Sequence, residues 1–241
     1  MMATKIPYVN EAWNPFSEVQ FLPERLDQPL HWRRPRDIIV CSQSDLFHEK
    51  VDDERIYSVM MAMYLARHHR YFIFTKRIER AKSFFDLFWR TTTTFDYWKA
   101  DNVWLMLSIS TRKEADEKIP ILIQTNVAHR GLSIEPDLED ISLRWGSWAR
   151  RARDSQGGMW LNGKPVGSFN EYDALRMLDW VIVGCESGAK RRPCPMEAIR
   201  GVVKQCQEAG VPVWCKQLEV GGIVRHEMKY FPEELRIQQK P

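Results

Sequence analysis

The strongest constraint in this chain is an alternation. Short apolar runs recur between stretches whose apolar residues follow a helical period. The runs are residues 37–42 (DIIVCS), 71–75 (YFIFT), 103–109 (VWLMLSI), 130–134 (RGLSI), 180–185 (WVIVGC) and 212–216 (PVWCK). Most are apolar on both faces, as a parallel sheet covered by helices requires. Between them, residues 53–67 place Ile56, Val59, Met60 and Met63 on one helical face, and residues 79–89 carry Phe84, Phe85 and Phe88. Residues 196–209 align Ile199, Val202, Val203 and Cys206, with Gly210 as a C-terminal stop. Pro120 is expected to open a short helix, since proline is tolerated in a first turn. A βα series of this kind predicts a parallel α/β fold.

With 241 residues, 44% hydrophobic and 28% charged, the chain is expected to fold as a single domain over 1–241 rather than remain disordered. Residues 1–36 carry five prolines and read as an irregular lead-in, while 144–170 read as an inserted, basic, Trp-rich loop. No apolar run approaches the roughly 20 residues of a membrane span. Residues 1–15 lack the apolar centre of a signal peptide, so the expected compartment is the cytoplasm, with no membrane partner. The five cysteines, Cys41, Cys185, Cys194, Cys206 and Cys215, are odd in number and never closer than nine residues. That spacing argues against a disulfide scaffold or a zinc ribbon and for reduced thiols. A net charge of +3 does not imply a nucleic-acid partner by itself. In the 144–170 loop, Arg144, Arg150, Arg151, Arg153 and Lys164 alternate with Trp145, Trp148 and Trp160. A solvated loop with its tryptophans folded back is the favoured reading, and a surface for phosphates and stacked bases the alternative.

In parallel α/β folds the chemistry lies beyond the C-terminal ends of the strands. Every predicted strand here delivers polar residues to that rim: Ser42, Ser44, Asp45 and His48; Thr75, Lys76 and Arg77; Ser108 and Ser110; Ser133 and Glu135; Glu186, Ser187 and Gly188; Lys216 and Gln217. Asp45 and His48 suit an orienter and a base, but capping of the following turn or helix by Ser44 and Asp45 is the favoured reading. Glu135 and Glu186 suit an acid–base pair, or a cation site with Asp45. Pairing of each with Lys76, Arg77 or Lys216 is the equal alternative. His68 and His69 are expected at the surface near a helix end. Cys185 is read as a buried structural cysteine, with a reactive thiol as the lesser reading. The run GCESG (184–188) offers backbone N–H groups to an anion, but neither GxGxxG nor GxxxxGK[ST] occurs.

Ten collinear segments carry a family resemblance: EAWNP (11–15), LPERLDQPLHWRRPR (22–36), SQSDLFHE (42–49), FTKRIER (74–80), NVWLMLSIS (102–110), ADEKIPIL (115–122), LSIEPDLEDISL (132–143), DWVIVGCESG (179–188), RP (192–193) and QCQEAGVPVWCKQ (205–217). Together they resemble an uncharacterised bacteriophage protein family related to radical SAM enzymes. The resemblance implies a partial TIM-like (β/α)6 barrel, with S-adenosylmethionine across its mouth and a [4Fe–4S] cluster on three cysteines near the first strand. In that family a three-cysteine segment follows a motif similar to Trp13-Asn14-Pro15. Here Pro15 runs into FSEVQFLPERL and no cysteine precedes Cys41, so a [4Fe–4S] cluster is not expected. Cys185 also stands where the family motif has glycine.

Three functions follow as expectations. The first is a small-molecule pocket for S-adenosylmethionine or a nucleotide, lined by Ser44, Asp45, Lys76, Ser108, Glu135, Glu186, Ser187 and Lys216. The second is a non-radical enzyme using Asp45, His48, Glu135 or Glu186 for acid–base or metal-assisted chemistry. The third is a phage accessory binding nucleic acid or a host protein through the 144–170 loop.

Overall fold

A computed structural model of the chain describes Val19 and residues 21–42, 44–91, 100–143, 159–161, 164–166, 175–188 and 190–241. It is an α/β protein. Its main strands are β1 (Asp37–Val40), β2 (Arg70–Thr75), β3 (Val103–Ile109), β4 (His129–Ile134), β7 (Trp180–Val183) and β8 (Val213–Cys215). Two short hairpins supply β5 (Met159–Leu161) with β6 (Lys164–Val166), and β9 (Leu218–Val220) with β10 (Ile223–Arg225). The helices are α1 (Asp53–Leu65), α2 (Ile78–Thr91), α3 (Arg112–Gln124) and α4 (Met196–Ala209). The six-stranded sheet has the order β1-β2-β3-β4-β7-β8. Each strand is added beside its predecessor without reversal, which is the order of a (β/α) barrel and not of a doubly wound sheet.

By contacts the chain forms two compact units, residues 1–106 with 126–129, and residues 107–125 with 130–241, with β3 divided between them. In the first unit, β1 and β2 run parallel from Asp37 beside Arg70 to Val40 beside Ile73. Ile56, Met60 and Met63 of α1 are buried, as are Phe84, Phe85 and Phe88 of α2. Asp52 starts α1 by accepting the Arg55 N–H at 2.9 Å. The lead-in is packed rather than free: from residue 21 it forms two 3-10 turns, and the Pro29 carbonyl accepts Nε2–H of His69 at 2.9 Å. His69 is therefore buried, contrary to the expected surface position, while His68 stays exposed with Nε2 2.7 Å from the Trp32 carbonyl.

In the second unit, β4 and β7 pair in parallel from Gly131–Trp180 to Ile134–Val183, and β7 pairs with β8. Ile199, Val202, Val203 and Cys206 of α4 are buried, and Gly210 ends that helix at φ +72°. α3 differs from expectation at its start. Thr111 caps it by accepting the Glu114 N–H, so the helix begins at Arg112 and Pro120 lies inside it. Proline in mid-helix loses one backbone bond. The turn between β9 and β10 is Gly221-Gly222, at φ +61° and +78°, the left-handed geometry a tight hairpin needs. Beyond β10, the chain returns along the free edge of β8. There Cys215 N–H donates to Ile237 O and Gln239 N–H to Val213 O.

Candidate functional site

The first unit gathers its polar residues around Asp45. Its carboxylate accepts from Phe47 N at 2.9 Å, from the Thr75 hydroxyl at 2.8 Å, from Lys76 N at 3.1 Å and from Arg77 Nη1 at 3.1 Å. The same Thr75 hydroxyl accepts the Arg77 N–H at 2.9 Å. Asp45 thus ties the loop after β1 to the loop after β2. His48 takes no part among the described residues: its Nδ1 accepts the Lys50 N–H at 3.2 Å, and its Nε2 lies 3.5 Å from Glu49. The expected orienter and base therefore face different partners. Ser44 and the Lys76 side chain are exposed.

The second unit holds the denser cluster, at the C-terminal ends of β4, β7 and β8. Glu135 follows β4 and Lys216 follows β8, and their side chains form an ion pair. β7 lies between these two strands, so the pair bridges over its end. The Ser133 hydroxyl donates to Glu135 at 3.2 Å. Glu186, after β7, is taken by Arg192, whose backbone N–H and guanidinium approach it at 2.8, 3.1 and 3.2 Å. Glu135 and Glu186 are consequently each neutralised by a cation. This is the ionic arrangement expected as one alternative, with Arg192 as a partner that sequence reasoning had not named. Arg191 pairs with Glu219 of β9 at 2.9 Å and donates to Gly222 O. Ser187 is exposed, and Ser108 is half-buried on β3.

Asp137 was missed altogether, although DLED (137–140) concentrates three acids directly after β4. The residue is fully buried, and neither carboxylate oxygen has a hydrogen-bond partner among the described residues. Burial, with Asp140 and Glu139 beside it, pushes its carboxyl up to about 7. The Asp137 N–H donates at 3.3 Å to the carbonyl O of Gly184, the residue before Cys185. Glu219 N–H donates to Cys185 Sγ at 3.4 Å.

All five cysteines are described, and their arrangement does not fit a cluster on three thiolates. Cys41 is exposed after β1, Cys185 is buried after β7 and Cys194 is half-buried. Cys206 and Cys215 are buried, which pushes both thiols up to about 12. Among the described residues, no group of three His, Cys, Asp or Glu side chains is placed to hold a metal ion. No helix among them is long and apolar enough to cross a membrane. In the 144–170 loop, the arginines at 144, 150, 151 and 153, with Trp145 and Trp148, lie outside the described residues. Trp160 and Lys164 fall on the β5–β6 hairpin.

Compared with the curated proteins and with the solved structures, the chain finds no match. One family model does match, that of DUF5131, described as a protein of unknown function, and it aligns with residues 2–235. Nearly the whole chain is covered, the strand ends and Asp137 included, and the chain belongs to the DUF5131 family.

Proposed function

We propose that the second unit binds a small molecule with a zwitterionic end, of the S-adenosylmethionine class, over the C-terminal end of β7. The observation that carries this reading is the Glu135–Lys216 bridge. Neighbouring strands lie about 4.8 Å apart, so a pair formed across an intervening strand has to span roughly 10 Å between backbones. It therefore sits as a bar across the loops that β4, β7 and β8 present. The Glu135 side chain is only 13% exposed, whereas that of Lys216 is 51% exposed and free to swing outward.

A ligand ammonium would take the place of the Lys216 ammonium on Glu135, held there by the Ser133 hydroxyl that orients the carboxylate. The ligand carboxylate would in turn meet Lys216. Such an exchange keeps every charge paired, which matters because an unpaired charge in a partly buried site is costly. The exposed Ser187-Gly188 segment after β7 supplies room and backbone donors beside it. The resemblance of the ten sequence segments to a family related to radical SAM enzymes supports the ligand class. No step through an iron–sulfur cluster belongs to this reading, because the thiols present do not assemble three ligands.

Calorimetric titration of the full chain with S-adenosylmethionine and S-adenosylhomocysteine tests it. Binding in the micromolar range is expected, weakened at least tenfold, or about 1.4 kcal/mol, by Glu135→Gln and by Lys216→Met. Absence of heat up to about 1 mM ligand, where binding is worth only about 4 kcal/mol, overturns the assignment.

A further inference from the structure

A separate concentration of charge lies in the first unit, at the N-terminal ends of β1 and β2. Two segments meet there, at the end of those strands opposite Asp45. Residues 32–36 (WRRPR) lead into β1, and residues 66–70 (ARHHR) carry the chain from α1 into β2. Three contacts tie them together. His68 Nε2 lies 2.7 Å from the Trp32 carbonyl, Arg36 N–H donates to His69 Nδ1 at 3.1 Å, and Arg70 N–H donates to Arg36 O at 2.9 Å. Arg33, Arg34, Arg36 and Arg67 are thereby gathered at one end of the unit. Arg33, Arg34, Arg67 and His68 are exposed, and Arg36 is half-buried.

None of these four arginines has an acidic partner among the described residues. The acid that follows them, Asp37, is taken by the Arg70 guanidinium through two bonds of 2.7 and 2.9 Å. The whole chain carries a formal charge of only +3, so this end of the unit holds more positive charge than the chain's entire balance. The dipole of α1 accounts for cations just beyond its C-terminus, Arg67 and His68, but not for Arg33, Arg34 and Arg36. One of the four is also held flat. The Arg36 guanidinium lies over the Trp32 indole, 4.4 Å from its centroid, and that indole in turn meets His69 edge-on at 5.9 Å. An arginine fixed in this way offers planar stacking as well as charge.

We infer that this end of the first unit binds single-stranded nucleic acid. Arg33, Arg34 and Arg67 take the phosphates, and a base stacks on the Arg36–Trp32 pair. Two features select this partner. The cations are all arginine, whose planar fork matches phosphate oxygens two at a time. Stacking on a side chain needs bases turned outward, which a single strand supplies and a duplex keeps inside. The surface shares no residue with the ligand site over β7 or with the 144–170 loop. Leu30 and Leu65, both exposed, adjoin the two segments, so an anionic lipid surface is the competitor to be tested.

The test is fluorescence anisotropy of the full chain with a labelled oligothymidine of roughly 20 nucleotides, repeated across salt concentrations. Micromolar binding is expected at low salt, with a log–log salt slope of about −2 to −3. A duplex of equal length should compete poorly. The double variant Arg33→Gln, Arg34→Gln should bind roughly tenfold more weakly, and its slope should flatten by about 1.4. Both side chains are exposed, so its urea midpoint should match the parent's, which separates lost binding from a lost fold. Arg36→Lys keeps the charge and loses the flat cation. It should weaken binding about fivefold while the salt slope stays unchanged. Changing Arg144, Arg150, Arg151 and Arg153 to Gln should leave binding as in the parent. No binding at low salt, undiminished binding by the Arg33/Arg34 variant, or equal binding of the duplex overturns the assignment. Binding to phosphatidylserine vesicles with none to the oligothymidine overturns it in favour of a lipid-docking surface. Full affinity in Arg36→Lys overturns the stacking assigned to that residue.

Discussion

Gly184 and Gln217 meet backbone to backbone: a Cβ on Gly184 would lie 2.9 Å from the Gln217 carbonyl oxygen and 3.2 Å from its nitrogen. This approach lets Cys185 N–H donate to Gln217 O at 3.0 Å, while Gln217 Nε2 returns a bond to Cys185 O at 2.6 Å. The ends of β7 and β8 are locked together at the point where Cys185 and Lys216 leave them.

Gly184→Ala is therefore expected to destabilise the chain by about 1–3 kcal/mol, the usual range for forcing atoms into a packed position. Urea denaturation reads this loss directly. A stability equal to the parent would show that the neighbouring backbone yields freely.

Asp137 gives stability an unusual dependence on pH. Its carboxyl is raised in the fold from 3.8 to about 7, so the native state holds a proton that the unfolded chain has released. The stability contribution is complete below about pH 4 and is lost as pH rises toward 7. Asp137→Asn removes that slope. Relative to the parent, its stability should climb by about 2–4 kcal/mol between pH 4 and pH 8, measured by denaturant midpoints. Parallel stability curves for the two proteins would disprove it.

His69 acts in the opposite direction. Its Nδ1 accepts the Arg36 N–H at 3.1 Å, which fixes the proton on Nε2 and requires a neutral ring. Burial lowers its folded value below 6.5. The stabilisation is thus full above pH 6.5 and is lost as pH falls through the folded value. His69→Ala should cost about 2–3 kcal/mol at pH 7.5, for two lost bonds and a cavity, and clearly less at pH 5. A mutational cost independent of pH would contradict the neutral ring.

The Asp45 network predicts coupling without His48. Thr75→Val and Asp45→Asn should each destabilise by about 1–2 kcal/mol, and in combination by less than their sum, since they break the same bonds. His48→Ala should stay within about 0.5 kcal/mol of the parent, as for a substitution outside such a network. An additive double variant, or a large His48 effect, would require a different wiring of these loops.

The sheet and its helices were legible because burial on both faces writes itself as unbroken apolar runs. β3 and α4 have the limits that their sequence patterns indicate, and α4 also carries its stop signal in Gly210. Pro120 misled because a proline reads as a helix start, while the capping threonine nine positions earlier is a weaker mark in sequence. The β9–β10 hairpin was not read from the sequence: a Gly-Gly pair separates two apolar runs in LEVGGIVR, but three-residue strands fall below the length at which alternation can be recognised.

At the candidate site, residue types at strand ends identified Glu135, Glu186 and Lys216, since position in a βα unit dictates which residues reach the rim. Which charge takes which partner was not legible. Arg192 reaches Glu186 from six positions further on, and no periodicity reports such a pairing. Asp137 escaped notice for a different reason. An aspartate after a strand reads as a solvated cap, and only packing reveals that this one is buried.

The segment at 237–239 that lies along β8 also orders the protein's synthesis. Translation delivers β8 before the segment that pairs with its outer edge, separated by the β9–β10 hairpin and two short turns. Until residue 239 has emerged from the ribosome, the backbone N–H groups of Cys215 and Val213's carbonyl have no covering strand. An open edge is a template for pairing with another chain. Any form of the chain in which residues 237–239 have not yet docked therefore presents an open β8 edge, and is the form most prone to pair with another chain.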